Sequence, residues 1–309
     1  MSLVEKALHK LQAARQPQTQ PMHVAEQPPA SHTPAPSPQE RAQKTSATGS
    51  TYLEPPRPTK TVRIDRDALR VAGLLPPDSE AREVADQFRA IKRPLIRRAL
   101  ELRDSTELPG QLVMLASALP GDGKTFTTIN LALSMALERN FTVLLVDADV
   151  AKPHVTRLVG AEDEPGLIDV LSDPSRPVES VILGTDIPSL HVLPAGRATS
   201  TATEWIASDR MREVGMRLAA LYQRGVVLFD SSPILLTNEP RVLAPLVGQI
   251  IVVVKAGVTP QQAVHDSVEL LNAGTRVSLV LNEAPLSGPM GYYYGHRYGY
   301  GSRASADEA

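Results

Sequence analysis

The stretch Ser117-Ala118-Leu119-Pro120-Gly121-Asp122-Gly123-Lys124-Thr125 spaces two glycines, a lysine and a threonine as a polyphosphate cradle requires. Glycine lets the backbone turn its N–H groups inward, and a helix starting here adds unpaired donors and a positive dipole end. Lys124 supplies a mobile cation, and Thr125 a hydroxyl for the magnesium that accompanies a nucleotide. The expected contacts with ATP and Mg2+ are Pro120, Gly121, Asp122, Gly123, Lys124, Thr125 and Phe126. A second group of candidates is acidic: Asp147 and Asp149 follow the apolar run 142–146, and Asp230 follows 226–229. Carboxylates so placed suit joint work on magnesium, water and an incoming hydroxyl. Asn282 closes the run 277–281, and its amide can read a base edge or cap a turn.

Such residues meet only if the chain brings them to one edge. Apolar runs at 111–116, 142–146, 190–193, 226–230, 249–254 and 277–281 read as buried strands. Between them, 126–137, a turn at 166–171, 203–222 and 260–271 read as helical. Strands alternating with helices specify an α/β fold, a doubly wound, mostly parallel sheet of the P-loop NTPase type. Ligands of such sheets bind outside the carboxyl ends of the strands, where the loop and all three carboxylates fall. A strand continued past residue 146 puts Asp147 and Asp149 on one side of it. Upstream, a helix from about Asp78 carries Val84, Phe88, Ile91 and Leu95 on a core-seeking face, and Pro94 is expected to kink or restart it. Another face holds Asp86, Arg89 and Lys92 or Arg93, a solvated surface or an intersubunit contact.

The 309 residues suffice for one sizeable α/β domain with appendages. A formal charge of -2 excludes a strongly basic nucleic-acid binder on global balance, so no nucleic-acid partner is expected. With no cysteine there is no disulfide framework and no thiolate metal site, which suits the cytoplasm. No apolar run reaches the roughly 20 residues of a spanning helix, so membrane contact is expected through a partner. Residues 1–15 read as a short amphipathic helix opened by a Ser2/Glu5 capping box. Residues 16–76 read as a disordered proline-rich linker, 77–285 as the nucleotide-binding domain and 286–309 as a flexible tail.

That tail concentrates five of the seven tyrosines, Tyr292, Tyr293, Tyr294, Tyr298 and Tyr300, between glycines. On its own it reads as a sticky segment that stacks on a partner. Beside an ATP site, its hydroxyls become candidate phosphoacceptors, each phosphorylation adding about -1.5 to -2 charges.

The variant loop with Ala118 in place of the first glycine, the 143–149 and 226–233 stretches and the tyrosine cluster together resemble the bacterial tyrosine kinases of polysaccharide export. The likeness is closer to the tyrosine autokinases of exosortase-type exopolysaccharide loci, and runs from about Asp86 to Tyr300 with the opening Met-Ser-Leu-Val-Glu-Lys-Ala. It implies a deviant Walker A fold, with Lys124 and Thr125 on phosphates and magnesium, Asp147 and Asp149 as catalytic carboxylates, and Asp230 completing the metal site. The family's Glu-x-x-Arg-x-x-Arg ring helix corresponds to Asp86, Arg89 and Lys92, both outer residues being substituted. Implied partners are a membrane adaptor of the polysaccharide chain-length type, other copies of the chain in a ring and a cognate tyrosine phosphatase. The implied place is the inner face of the plasma membrane. Ala151-Lys152-Pro153 departs from the two arginines before proline of many relatives. The rival reading is a partitioning or positioning ATPase, a nucleotide-switched assembly factor of the same fold; Leu119, where such switches carry a second lysine, weighs against it. An inactive scaffold is a third reading.

Overall fold

The computed structural model describes residues 55–103, 105, 108–273 and 276–284. Strands β1 (Thr61–Val62), β2 (Leu112–Ser117), β3 (Thr142–Asp147), β4 (Leu183–Thr185), β5 (Leu190–Leu193), β6 (Gly225–Pro233), β7 (Gln249–Lys255) and β8 (Val277–Asn282) form one sheet in the order β1-β4-β5-β3-β6-β2-β7-β8. Every neighbouring pair is parallel except β4 with β5. The central strands are apolar on both faces because helices cover both. Leu112, Met114, Leu144, Val146, Val227 and Phe229 enter one core. Their alternating neighbours Val113, Leu115, Val143, Leu145, Val226 and Leu228 enter the other. This is the doubly wound architecture expected from the apolar runs.

The helices are α1 (Arg66–Val71), α2 (Ala81–Glu101), α3 (Lys124–Met135), α4 (His154–Leu158), α5 (Leu167–Ser172), α6 (Ala202–Ile206), α7 (Asp209–Leu221), α8 (Glu239–Leu243) and α9 (Gln261–Leu271). Three expectations are corrected. The linker ends earlier than residue 76: β1 pairs with β4, and Asp65 caps α1 by accepting from the N–H groups of Asp67 and Ala68 at 3.0 and 2.9 Å. Leu69 buries this short helix against the second core. Pro94 does not restart α2, which runs as one helix from Ala81 to Glu101 with the proline inside it. Pro94 and Ala90, whose carbonyl the proline cannot serve, both lie on the exposed face, so water can replace the missing bond. The helix expected at 203–222 is two, because Ser208 turns out in extended conformation and caps α7.

Leu69 gives a test that α1 belongs to the domain. Truncating a buried leucine costs about 2–5 kcal/mol. Leu69→Ala is therefore expected to lower the urea midpoint of the whole domain, whereas an appended linker would leave it unchanged.

Candidate active site

The carboxyl edge of β2 opens into the glycine loop. Gly121 and Gly123 hold φ of +83° and +91°, a left-handed backbone that other residues adopt at a cost. At Gly123 space is also decisive, since a Cβ there would lie 1.9 Å from Nδ2 of Asn282. Gly123 is the N-cap of α3, so the first free N–H groups of a twelve-residue helix face out beside Lys124 and Thr125.

The two side chains that start α3 converge on the carboxylate that ends the apolar part of β6. Lys124 Nζ donates to Asp230 Oδ1 at 3.0 Å, and Thr125 Oγ1 donates to Asp230 Oδ2 at 3.0 Å. A third donor, Thr128 Oγ1, reaches Asp230 Oδ1 at 2.9 Å. Sequence reasoning missed Thr128, although it stands one helical turn after Lys124. Lys124 Nζ also lies 3.8 Å from Asp149 Oδ2, so one ammonium links both carboxylates.

Asp147 sits opposite Asp230 in the β3–β6 register and is fully buried. Its Oδ2 accepts from Thr156 N and Oγ1, each at 2.8 Å, while its Oδ1 has no partner. Thr156 Oγ1 in turn accepts from Ala195 N at 3.0 Å, which ties the end of β5 to this carboxylate. Burial first, then the nearby Asp230 charge, push the Asp147 carboxyl from 3.8 up to about 7. Asp149 is also raised by burial, against the opposing pull of Lys124 and the Lys152 N–H that it accepts at 3.1 Å.

A hard, oxygen-seeking cation fits this set. Thr125, Asp149 and Asp230 offer oxygens, and the unpartnered Oδ1 of Asp147 is a buried acceptor that lacks a donor or cation.

The side chains of the other expected contacts have partners of their own or lie in solvent. The Asp122 carboxylate takes the Leu119 N–H at 3.0 Å and the Thr259 hydroxyl at 2.7 Å, so its side chain braces the loop. Asn282 Nδ2 donates one hydrogen to the Asp122 carbonyl at 3.0 Å, which leaves its second N–H and its Oδ1 for other partners. The Phe126 ring packs on Phe88, centroids 6.3 Å apart, and joins the second core. Pro120 is exposed. Asp86 and Arg89 are exposed on α2 and pair with each other. Lys92 is not on that face. It is 6% exposed, and its Nζ donates to the Ser134 carbonyl at 2.7 Å and meets Glu138 at 2.8 Å. The residue that extends the exposed face from Arg89 is Arg93, four positions on. The tyrosines from Tyr292 to Tyr300 and the amphipathic segment 1–15 lie outside the described residues. No helix among the described residues is long and apolar enough to cross a membrane.

Comparison with known proteins agrees with this geometry. Residues 111–272 match the AAA domain family. The chain is 31% identical to the tyrosine-protein kinase YwqD of Bacillus subtilis, over 59% of this chain and 77% of that one. It is 31% identical to EpsB of Ralstonia nicotianae, likewise named as a tyrosine-protein kinase, and 29% identical to the succinoglycan biosynthesis transport protein ExoP of Rhizobium meliloti. The matches cover 61% of this chain in both cases and only 25% of each relative. Among solved structures, the kinase domain of VpsO superposes with a TM-score of 0.55 at 27% identity, over 68% of this chain and all of that one. A variant glycine loop, carboxylates at two adjacent strand ends and these relatives agree: the chain is a P-loop protein with an AAA domain and belongs to the bacterial tyrosine-protein kinase family.

Proposed function

We propose that the chain is an ATP-dependent tyrosine autokinase that phosphorylates the tail tyrosines Tyr292, Tyr293, Tyr294, Tyr298 and Tyr300 of another copy, and thereby regulates exopolysaccharide synthesis or export. The observation that carries this reading is the convergence of Lys124, Thr125, Asp149 and Asp230 beside the unpartnered Asp147 Oδ1, in a chain with a terminal tyrosine cluster.

In this reading the loop N–H groups and Lys124 hold the phosphates of ATP and neutralise charge on the transferring group. Thr125, Asp149 and Asp230, with Asp147 Oδ1, would hold Mg2+, which supplies further neutralisation of that charge. The incoming tyrosine oxygen bonds to the γ-phosphorus as the bond to the ADP oxygen breaks, and an ionised carboxylate, Asp147 or Asp149, takes the hydroxyl proton. Accumulated phosphate repels neighbouring copies and loosens the assembly. The ExoP name supports the link to polysaccharide. A membrane adaptor as activator, recruitment to the inner face of the membrane and an opposing phosphatase belong to the same reading. Asp86, Arg89 and Arg93 form the face offered to a second copy, with Lys92 serving the fold instead.

A mixing experiment tests this. A Lys124→Ala chain with its tyrosines intact is incubated with labelled ATP, Mg2+ and a chain whose five tail tyrosines are phenylalanine. Label is expected on the tail of the Lys124→Ala chain, located by mass spectrometry. Phosphate release without phosphotyrosine would instead support the nucleotide-switched assembly factor.

A further inference from the structure

Asp122 is an unusual residue to bury in a polyanion site. It is 3% exposed, although the adjoining Pro120 and Gly121 lie in solvent. Both of its carboxylate oxygens and its carbonyl are engaged by three different segments. Oδ2 takes Leu119 N within the loop, and Oδ1 takes the hydroxyl of Thr259 from the turn after β7. The carbonyl takes Asn282 Nδ2 from the end of β8. Thr259 Oγ1 is used twice, since it also accepts the Lys255 N–H at 3.0 Å. Asn282 is fixed in turn by its own carbonyl, which accepts from Ala256 N at 2.9 Å. The ends of β7 and β8 therefore close on one residue of the phosphate loop.

A loop that aims its N–H groups at an anion must hold two left-handed glycines, and glycine loses more conformational freedom on ordering than any other residue. Glycines cannot restrain themselves, so the conformation must be imposed from outside. Hydrogen bonds to an ionised carboxylate are stronger and shorter than neutral ones, which suits Asp122 to that task. The 1.9 Å approach of a notional Gly123 Cβ to Asn282 shows how closely the brace fits. A restrained loop leaves less freedom to be lost on binding, and affinity rises accordingly.

We propose that Asp122 is a positioning residue: with Thr259 and Asn282 it forms a three-point brace that presets the phosphate loop, so that nucleotide affinity depends on the ends of β7 and β8. The inference rests on the reading of the loop as a nucleotide site and is independent of the kinase reaction.

The test is equilibrium binding of a fluorescent ATP analogue with Mg2+, well below the melting temperature of each variant. Thr259→Val keeps the side-chain shape and removes the hydroxyl, and the loop that is then less preset is expected to bind on the order of fivefold more weakly. Thr259→Ser, which keeps the hydroxyl, is expected to bind within about twofold of wild type, a rescue that loss of packing would not give. Adding Thr259→Val to Asp122→Asn is expected to weaken binding less than it does alone, because the hydroxyl acts through that carboxylate. Equal binding by wild type and Thr259→Val, or full additivity in the double variant, overturns the brace. Failure of the wild type to bind any nucleotide overturns the nucleotide-site reading, and the brace with it.

Discussion

Lys124→Ala is expected to abolish tail phosphorylation and to lower the stability of the domain. The two effects have different causes. In the proposed reaction Lys124 supplies the positive charge aimed at the transferring group, and removing one such donor costs about 10²–10³ in kcat. The same ammonium neutralises Asp230, which is fully buried and has Lys124 as its one cationic partner among the described residues. Breaking a buried pair from one side leaves the other charge uncompensated, at a cost of about 3–5 kcal/mol. Thr125 and Thr128 still donate to Asp230 and offset part of that. Pairing Lys124→Ala with Asp230→Asn separates the causes: stability should largely return, measured by urea unfolding, while phosphorylation stays absent. Equal stability of Lys124→Ala and wild type would mean that the buried pair contributes nothing.

Asp147→Asn carries the second large effect, and here activity and stability move in opposite directions. The Asp147 carboxyl is raised from 3.8 to about 7 by burial and by Asp230. Between those two pH values the folded protein holds a proton that the unfolded chain releases. Stability therefore falls as pH rises from about 4 to 7, and at pH 8 the buried charge is fully destabilising. Asparagine removes that charge and keeps an acceptor for Thr156. The variant is expected to melt higher than wild type at pH 8 and to lose the advantage near pH 4. Activity goes the other way, because a metal ligand or proton acceptor at this position must be ionised. Its loss costs about 10²–10⁴ in rate. In the wild type, kcat/KM for ATP should rise with pH through an inflection near 7, since that parameter reports the free enzyme. The inflection in kcat should lie lower, as a bound cation favours the carboxylate. A profile flat from pH 5 to 8 in both parameters would remove Asp147 from the chemistry.

The central sheet was legible because strands buried on both faces must be continuously apolar, and β2, β3, β6 and β7 are. The edge that gathers the candidate site followed from the same runs, since a glycine loop closes β2 and carboxylates close the apolar parts of β3 and β6. Short elements carried no comparable signal. β1 has two residues and α1 one buried leucine, so a proline-rich composition outweighed them. Lys92 was legible in principle. It stands four residues after Phe88, on the core stripe, but a lysine there reads as a surface charge although its stem is buried. The parts of the site that depend on distant partners were not legible: no spacing reveals that Thr156 orients Asp147, or that Thr259 and Asn282 meet at Asp122.

The contact between Asn282 and the phosphate loop also sets a leash. Tyr292 is ten residues beyond Asn282 and Tyr300 eighteen, counted along the chain. Even fully extended, these segments span about 35 Å and about 60 Å. Since the Asn282 amide is anchored 3.0 Å from the loop of its own subunit, each of these tyrosines lies within about that distance of its own site. The proposed transfer between copies would then require the neighbour's site to lie within the same distance. Under that proposal the tyrosine series would act as a ruler for the spacing of copies, with Tyr300 usable at a wider spacing than Tyr292.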